Sequence, residues 1–171
     1  KKENETQTDN WADIFQGVEN AVESLVLFRK KEGENLLKDI SDRIALIDKF
    51  LKEMVPLSEF RIEKIKSNLK DKIENAELQI DPNRFEQELI YYLEKQDITE
   101  EIVRLQSHLN YFLETTKTNS PNGKKLGFIC QEIGREINTI GSKASNAEMQ
   151  KIVVNMKNEL EKIKEQLLNI L

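Results

Sequence analysis

The stretch Met149-Gln-Lys-Ile-Val-Val-Asn-Met-Lys-Asn-Glu-Leu-Glu-Lys-Ile-Lys-Glu-Gln-Leu-Leu-Asn-Ile170 carries apolar residues at Met149, Val153, Met156, Leu160, Ile163, Leu167 and Ile170, in steps of four and three throughout. That is the repeat of an α-helix with one buried seam, whereas a strand would alternate at every second residue. Asn146 is placed to open this helix, and its seam needs a partner helix, with self-association through the seam residues the expectation. Upstream, Leu126, Ile129, Ile133, Ile137 and Ile140 trace another amphipathic helix. Its end is expected near Gly141, because glycine suits the left-handed residue that closes many helices. Lys117–Gly123 contains Asn119, Ser120, Pro121 and Asn122 and reads as a loop. Before it, Ile98, Ile102, Leu105, Leu109 and Phe112 predict a helix from Asp97 to about Thr116, with Glu100 placed to complete a capping box.

Further towards the N-terminus, Trp11, Phe15, Val18, Val22 and Leu25 form one stripe, and Leu37, Ile40, Ile44, Ile47, Leu51 and Met54 form a second. The spacing between them lets a single helix carry both. Thr8 or Asp9 would cap it. Pro56 is expected to interrupt it, since proline lacks an amide proton and its ring clashes with the preceding turn. A new helix then spans about Ser58 to Ala76 through Ile62, Ile65, Leu69 and Ile73, and Asp81-Pro82 opens another through Phe85, Leu89 and Leu93. No segment alternates as a strand does, so the expected fold class is all-α, above about 70% helical, with long antiparallel helices in coiled-coil-like packing. Residues 1–96 are read as a long helical hairpin or stalk and residues 97–171 as a C-terminal helical region.

Composition narrows the function. Charged residues make up 33% of the chain and aromatics 6%, with six Gly and three Pro, which suits solvated helices. A formal net charge of -5 provides no global field for nucleic acid, so any RNA contact must be a local patch. The single Cys130 cannot close an intrachain disulfide, and no apolar run reaches the roughly 20 residues of a membrane span. A cytoplasmic protein without a membrane partner is the expectation. The polar lead-in from Lys1 to Asp9 has neither an initiator Met nor a signal-peptide pattern, which reads as a fragment.

Two clusters could carry chemistry. Glu101, Arg104, His108 and Tyr111 step 3-4-3 beside an apolar seam. They read either as a salt-bridged helix edge or as a reactive stripe in which His108, the only histidine, works with a carboxylate, a metal or a lysine. Glu132 and Glu136 are one helical turn apart, about 6 Å. They can either share a hard cation such as Mg²⁺ or Mn²⁺, or pair with neighbours such as Arg135. Glu101 and His108 lie two turns apart, about 10 Å, too far to chelate one ion by themselves. Lys124, Lys125, Arg135 and Lys143 surround the carboxylates, with Arg104 on the neighbouring helix, forming either a phosphate-binding patch or an ordinary lysine-rich surface. Cys130 falls on the core side and reads as a packed thiol.

The segment Gly123-Lys-Lys-Leu-Gly-Phe-Ile-Cys-Gln-Glu-Ile-Gly-Arg-Glu-Ile-Asn-Thr-Ile-Gly-Ser-Lys143 resembles the C-terminal signature of the YicC-like endoribonucleases. Asp97-Ile-Thr-Glu-Glu-Ile-Val-Arg-Leu-Gln-Ser-His-Leu109, upstream, and the segment from Asn146 to Ile170, downstream, look like the same pattern, as does Glu32-Gly33. Three positions depart from it: the family pattern has Asp at Gly127, Asn at Gly134 and a small residue at Ile137. The resemblance implies a divalent-metal-dependent endoribonuclease that acts as a ring-like homo-oligomer, with a hexamer as the expected size. It also implies an N-terminal domain ahead of the helical part, absent from this chain. On this reading Glu132 and Glu136 hold Mn²⁺ or Mg²⁺, and His108, Glu101 and Glu136 are catalytic. Arg104, Lys124, Lys125, Arg135 and Lys143 bind RNA. The rival readings are a helical oligomerisation scaffold and an adaptor that binds RNA without cutting it.

Overall fold

The computed structural model describes residues 11–75, 81–118 and 122–168, without the side chains of 72–75 and 82. Five helices follow in order: α1 (Trp11–Asn75), α2 (Pro82–Gln96), α3 (Thr99–Thr116), α4 (Gly123–Lys143) and α5 (Ala147–Leu167), with no strand among the described residues. The all-α class and the high helix content follow the periodicity of the sequence. The proposed caps at Thr8 or Asp9, and the seam residue Ile170, lie outside the described residues.

The chain divides into two compact units, residues 1–39 and 40–171. In the first, the described part is helix throughout and contains no buried residue. In the second, Ile40, Ile44, Ile47, Leu51 and Met54 of α1 are at most 1% exposed, and the same 4-3 rhythm continues into buried Ser58 and Arg61. This seam meets α3 and α5. Ile44 and Asp48 share a cleft with Gln106 and Leu109, and Arg43 pairs with Glu159 at 2.9 Å.

α4 lies between α3 and α5 and buries a wide arc that includes Leu126, Ile129, Cys130, Ile133, Ile137 and Ile140. A helix flanked on two sides needs a wider apolar face than one with a single neighbour. Its antiparallel register against α5 is set by glycines. A Cβ on Gly134 would stand 3.2 Å from Leu160 Cδ2, and one on Gly141 would stand 3.0 Å from Val153 Cγ1. Gly141 therefore serves a close approach inside α4, which continues to Lys143, rather than the helix end expected there.

Three further expectations change. Pro56 sits inside α1 without ending it. The turns on both sides are anchored elsewhere: Met54 is fully buried, and Arg61 donates to Lys143 O (2.9 Å) and Gln96 O (2.5 Å). Tertiary contacts on either side of one lost backbone bond keep the helix continuous. Asp97 does not form the capping box. Its carboxylate accepts from Thr99 N (3.0 Å) and Thr99 Oγ1 (2.6 Å), while Glu100 pairs with Arg104. Asp81 behaves as read, accepting from Asn83 N ahead of Pro82. Finally, Met149, Val153, Met156, Leu160 and Ile163 are at most 2% exposed, so the α5 seam finds its partner helices within this chain and gives no ground for self-association.

Candidate functional site

The sequence candidates fall on α3 and α4, which pack against each other. Lys143 Nζ donates to Asp97 O at 2.9 Å at one end of the pair, and Asn122 Nδ2 donates to Thr115 O at 3.1 Å at the other. These contacts fix an antiparallel register. To within about a turn, it sets Glu136 level with Arg104, and Glu132 level with His108.

Glu136 is 6% exposed and has no hydrogen bond or ion pair among the described residues. Glu132, one turn earlier on α4, is exposed, so the two carboxylates run from the surface into the edge of the α3–α4 seam. His108 is half-buried and likewise has no hydrogen-bond partner among the described residues. Glu101 is 5% exposed; Oε1 takes a 2.8 Å ion pair from Lys143, and Oε2 is buried without a partner among the described residues. Glu101 and Lys143 thus form one polar clamp near the start of α3. Arg104 is committed to Glu100 on its own helix. Lys125 lies 4.8 Å from the centre of the Tyr111 ring, and Lys124 and Arg135 are exposed on α4 without an ion pair among the described residues.

No group of three or more His, Cys, Asp or Glu side chains among the described residues is placed to hold a metal. Glu132 and Glu136, one turn apart on α4, leave two carboxylates as the most this stretch could offer a cation. Mg²⁺ commonly binds through one or two carboxylates and keeps several waters, so this pair fits a weakly held hard cation rather than a closed cage.

Sequence reasoning missed Arg61. The residue is 6% exposed, its guanidinium joins the C-terminal ends of α2 and α4, and Nε has no partner among the described residues. Burial lowers its pKa, opposed by nearby Tyr92. A cation at the C-termini of two helices sits where both dipoles favour it. The signal was an arginine at a seam position of the 4-3 pattern. The Thr99 hydroxyl, more than anything else, lowers the pKa of Asp97. Burial pushes the Cys130 thiol up to about 12, which keeps it protonated and unreactive.

Unit 40–171 is thus an antiparallel helical domain with Glu101 and Glu136 packed on an interhelical seam and exposed cations beside them. The chain belongs to the YicC-like endoribonuclease family: residues 54–171 match the family model described as "Endoribonuclease YicC-like, C-terminal". It is 39% identical over 165 residues to the "Probable endoribonuclease YicC" of Clostridioides difficile (strain 630), covering 94% of this chain and 56% of that protein. It is 32% identical over 162 residues to the protein of the same name from Haemophilus influenzae, covering 92% of this chain and 55% of the relative. The chain spans about half the length of these curated relatives.

Proposed function

We propose that this chain is the helical part of a metal-dependent endoribonuclease whose reactive groups line the α3–α4 seam. The observation that carries the reading is Glu136, a carboxylate only 6% exposed that has no partner among the described residues. Its side chain is packed at the edge of the seam while its oxygens stay open to the surface, which leaves the charge free to meet a cation there. Family membership and the names of the two relatives support RNA as the substrate.

In this reading Glu132 and Glu136 would hold Mn²⁺ or Mg²⁺, with water and phosphate oxygens filling the other positions. When bound, the ion offsets charge on the phosphate and eases deprotonation of an attacking hydroxyl or water. His108 passes a proton at the reacting phosphodiester, a role worth about a hundred- to ten-thousand-fold in rate. Glu101 acts with Lys143 to hold the start of α3 in register and thereby positions His108. Lys124, Lys125 and Arg135 steer phosphates, and Arg104 joins them once released from Glu100. The ring-like homo-oligomer expected of the family belongs to the same proposal.

The test is the full-length protein incubated with a structured RNA, with Mn²⁺ and with chelator. Cleavage that needs the ion supports the proposal. RNA retained uncut in both conditions points to an adaptor, and no interaction at all points to a scaffold.

A further inference from the structure

Of the α3 stripe Glu101, Arg104, His108 and Tyr111, only Tyr111 has no part in the proposed reaction. It follows His108 by one turn and is 45% exposed, with Lys125 Nζ of α4 over its ring at 4.8 Å. On α4, Phe128 stands one turn after Lys125 and one turn before Glu132, and is 58% exposed. The register fixed by Asn122 on Thr115 and by Lys143 on Asp97 sets Tyr111 level with Phe128 to within about a turn. Among the described residues of α3 and α4 these are the exposed aromatic side chains, Phe112 being buried. Exposed aromatics scattered singly are ordinary. Here two share one level of a helix pair, about 5 Å along the axis from the level of His108 and Glu132, a gap that one nucleotide bridges. We propose that Tyr111 and Phe128 form a stacking subsite for an unpaired RNA base next to the phosphate held at His108, Glu132 and Glu136, so that the substrate is single-stranded where it is cut. The inference rests on the reading of the α3–α4 seam as a ribonuclease site.

The preference for an unpaired base follows from what an aromatic ring can offer. In a duplex each base already stacks on its neighbours, whereas the splayed bases of loops and single strands present a free face, and aromatic side chains take it. Charge agrees with this ligand. Within about a turn of the aromatic pair stand Lys124 and Lys125 on α4 and the acids Glu114 on α3 and Glu132 on α4, all exposed. Glu132 belongs to the proposed cation site, which leaves two lysines against Glu114 alone. Lys125 serves both parts of a nucleotide: its ammonium lies against the Tyr111 ring, where it also meets the phosphate that a stacked base brings with it.

The test measures binding by the full-length protein in chelator, where RNA is not cut, with a single strand and a perfect duplex of equal length. Tyr111→Leu combined with Phe128→Leu should weaken binding of the single strand roughly ten- to a hundredfold and leave duplex binding and the melting of unit 40–171 as in the parent. Tyr111→Trp keeps an aromatic face and should bind the single strand like the parent. Removing the one base next to the bond cut in Mn²⁺, by an abasic substitution in the RNA, should cost the parent about as much as the leucine variant loses, and the two losses should not add. With Mn²⁺ present, cuts in a hairpin RNA should fall in its loop. A leucine variant that binds the single strand like the parent, equal losses on single strand and duplex, additive losses with the abasic RNA, or cuts inside the paired stem would each overturn the proposal. Those results leave the ribonuclease reading standing as long as the parent cuts RNA, whereas a parent that neither binds nor cuts RNA overturns both.

Discussion

In α5, Met149, Val153, Met156, Leu160 and Ile163 are at most 2% exposed, whereas Trp11, Phe15, Val18, Val22 and Leu25 at the start of α1 are 53–69% exposed. Both sets step by threes and fours, and both would score as amphipathic helix. What separates them is the neighbour. α5 has α4 beside it, with Gly134 and Gly141 letting the two helices close in. The 11–39 segment has none among the described residues of its own unit. Periodicity reports that a helix has a face to bury and is silent on which surface buries it.

The largest expected effect that tests this contrast is in the core. Ile133→Ala removes a fully buried side chain and should cost about 2–5 kcal/mol in denaturant unfolding of unit 40–171. Val22→Ala, at a side chain 53% exposed, should leave that transition unmoved. Equal losses would mean the two stripes are packed alike.

Next come the glycines. Gly141→Ala puts a methyl 3.0 Å from Val153 Cγ1 and should cost about 1–3 kcal/mol, despite better helix propensity. Gly127 has nothing within 4 Å, so Gly127→Ala should stabilise by up to about 1 kcal/mol. A stabilised Gly141→Ala would show that α4 and α5 stand further apart than the 3.0 Å approach at Val153 Cγ1 implies.

The acid response should be smaller. Folding lowers the pKa of Asp97 through the Thr99 hydroxyl and that of Glu159 through Lys162. Each carboxyl binds its proton less readily folded than unfolded, so its stabilisation is complete above the ordinary carboxylate value of about 4 and is lost as pH falls through the lower folded value. The melting temperature should therefore drop in that acid range. Asp97→Asn, which keeps the acceptor oxygen, should flatten the drop, and an unchanged acid profile would count against the Asp97–Thr99 contact. Cys130 should resist alkylation at neutral pH until the chain is unfolded, since its pKa is about 12; prompt native labelling would contradict its burial.

The helices, the Asp81 cap and the limits of α3 were legible in local spacing because local spacing determines them. The continuity of α1 through Pro56 was not. It depends on Arg61 reaching backbone carbonyls at Gln96 and Lys143, contacts distant in sequence. The partner of the α5 seam was hidden for the same reason. At the candidate site, Glu132 and Glu136 could be paired from their spacing, but burial of one and exposure of the other depends on where α3 lies. The Lys143–Glu101 clamp joins residues with no sequence relation that would announce it.

The most direct test of the functional account is RNA cleavage by Glu136→Gln in the full-length protein at limiting Mn²⁺. The amide keeps the size of the side chain and removes the charge that attracts a hard cation. The account predicts loss of cleavage with helicity and assembly intact. Cleavage at the parent rate would contradict it, and the buried carboxylate of α4 would then be a structural group rather than the centre of the chemistry.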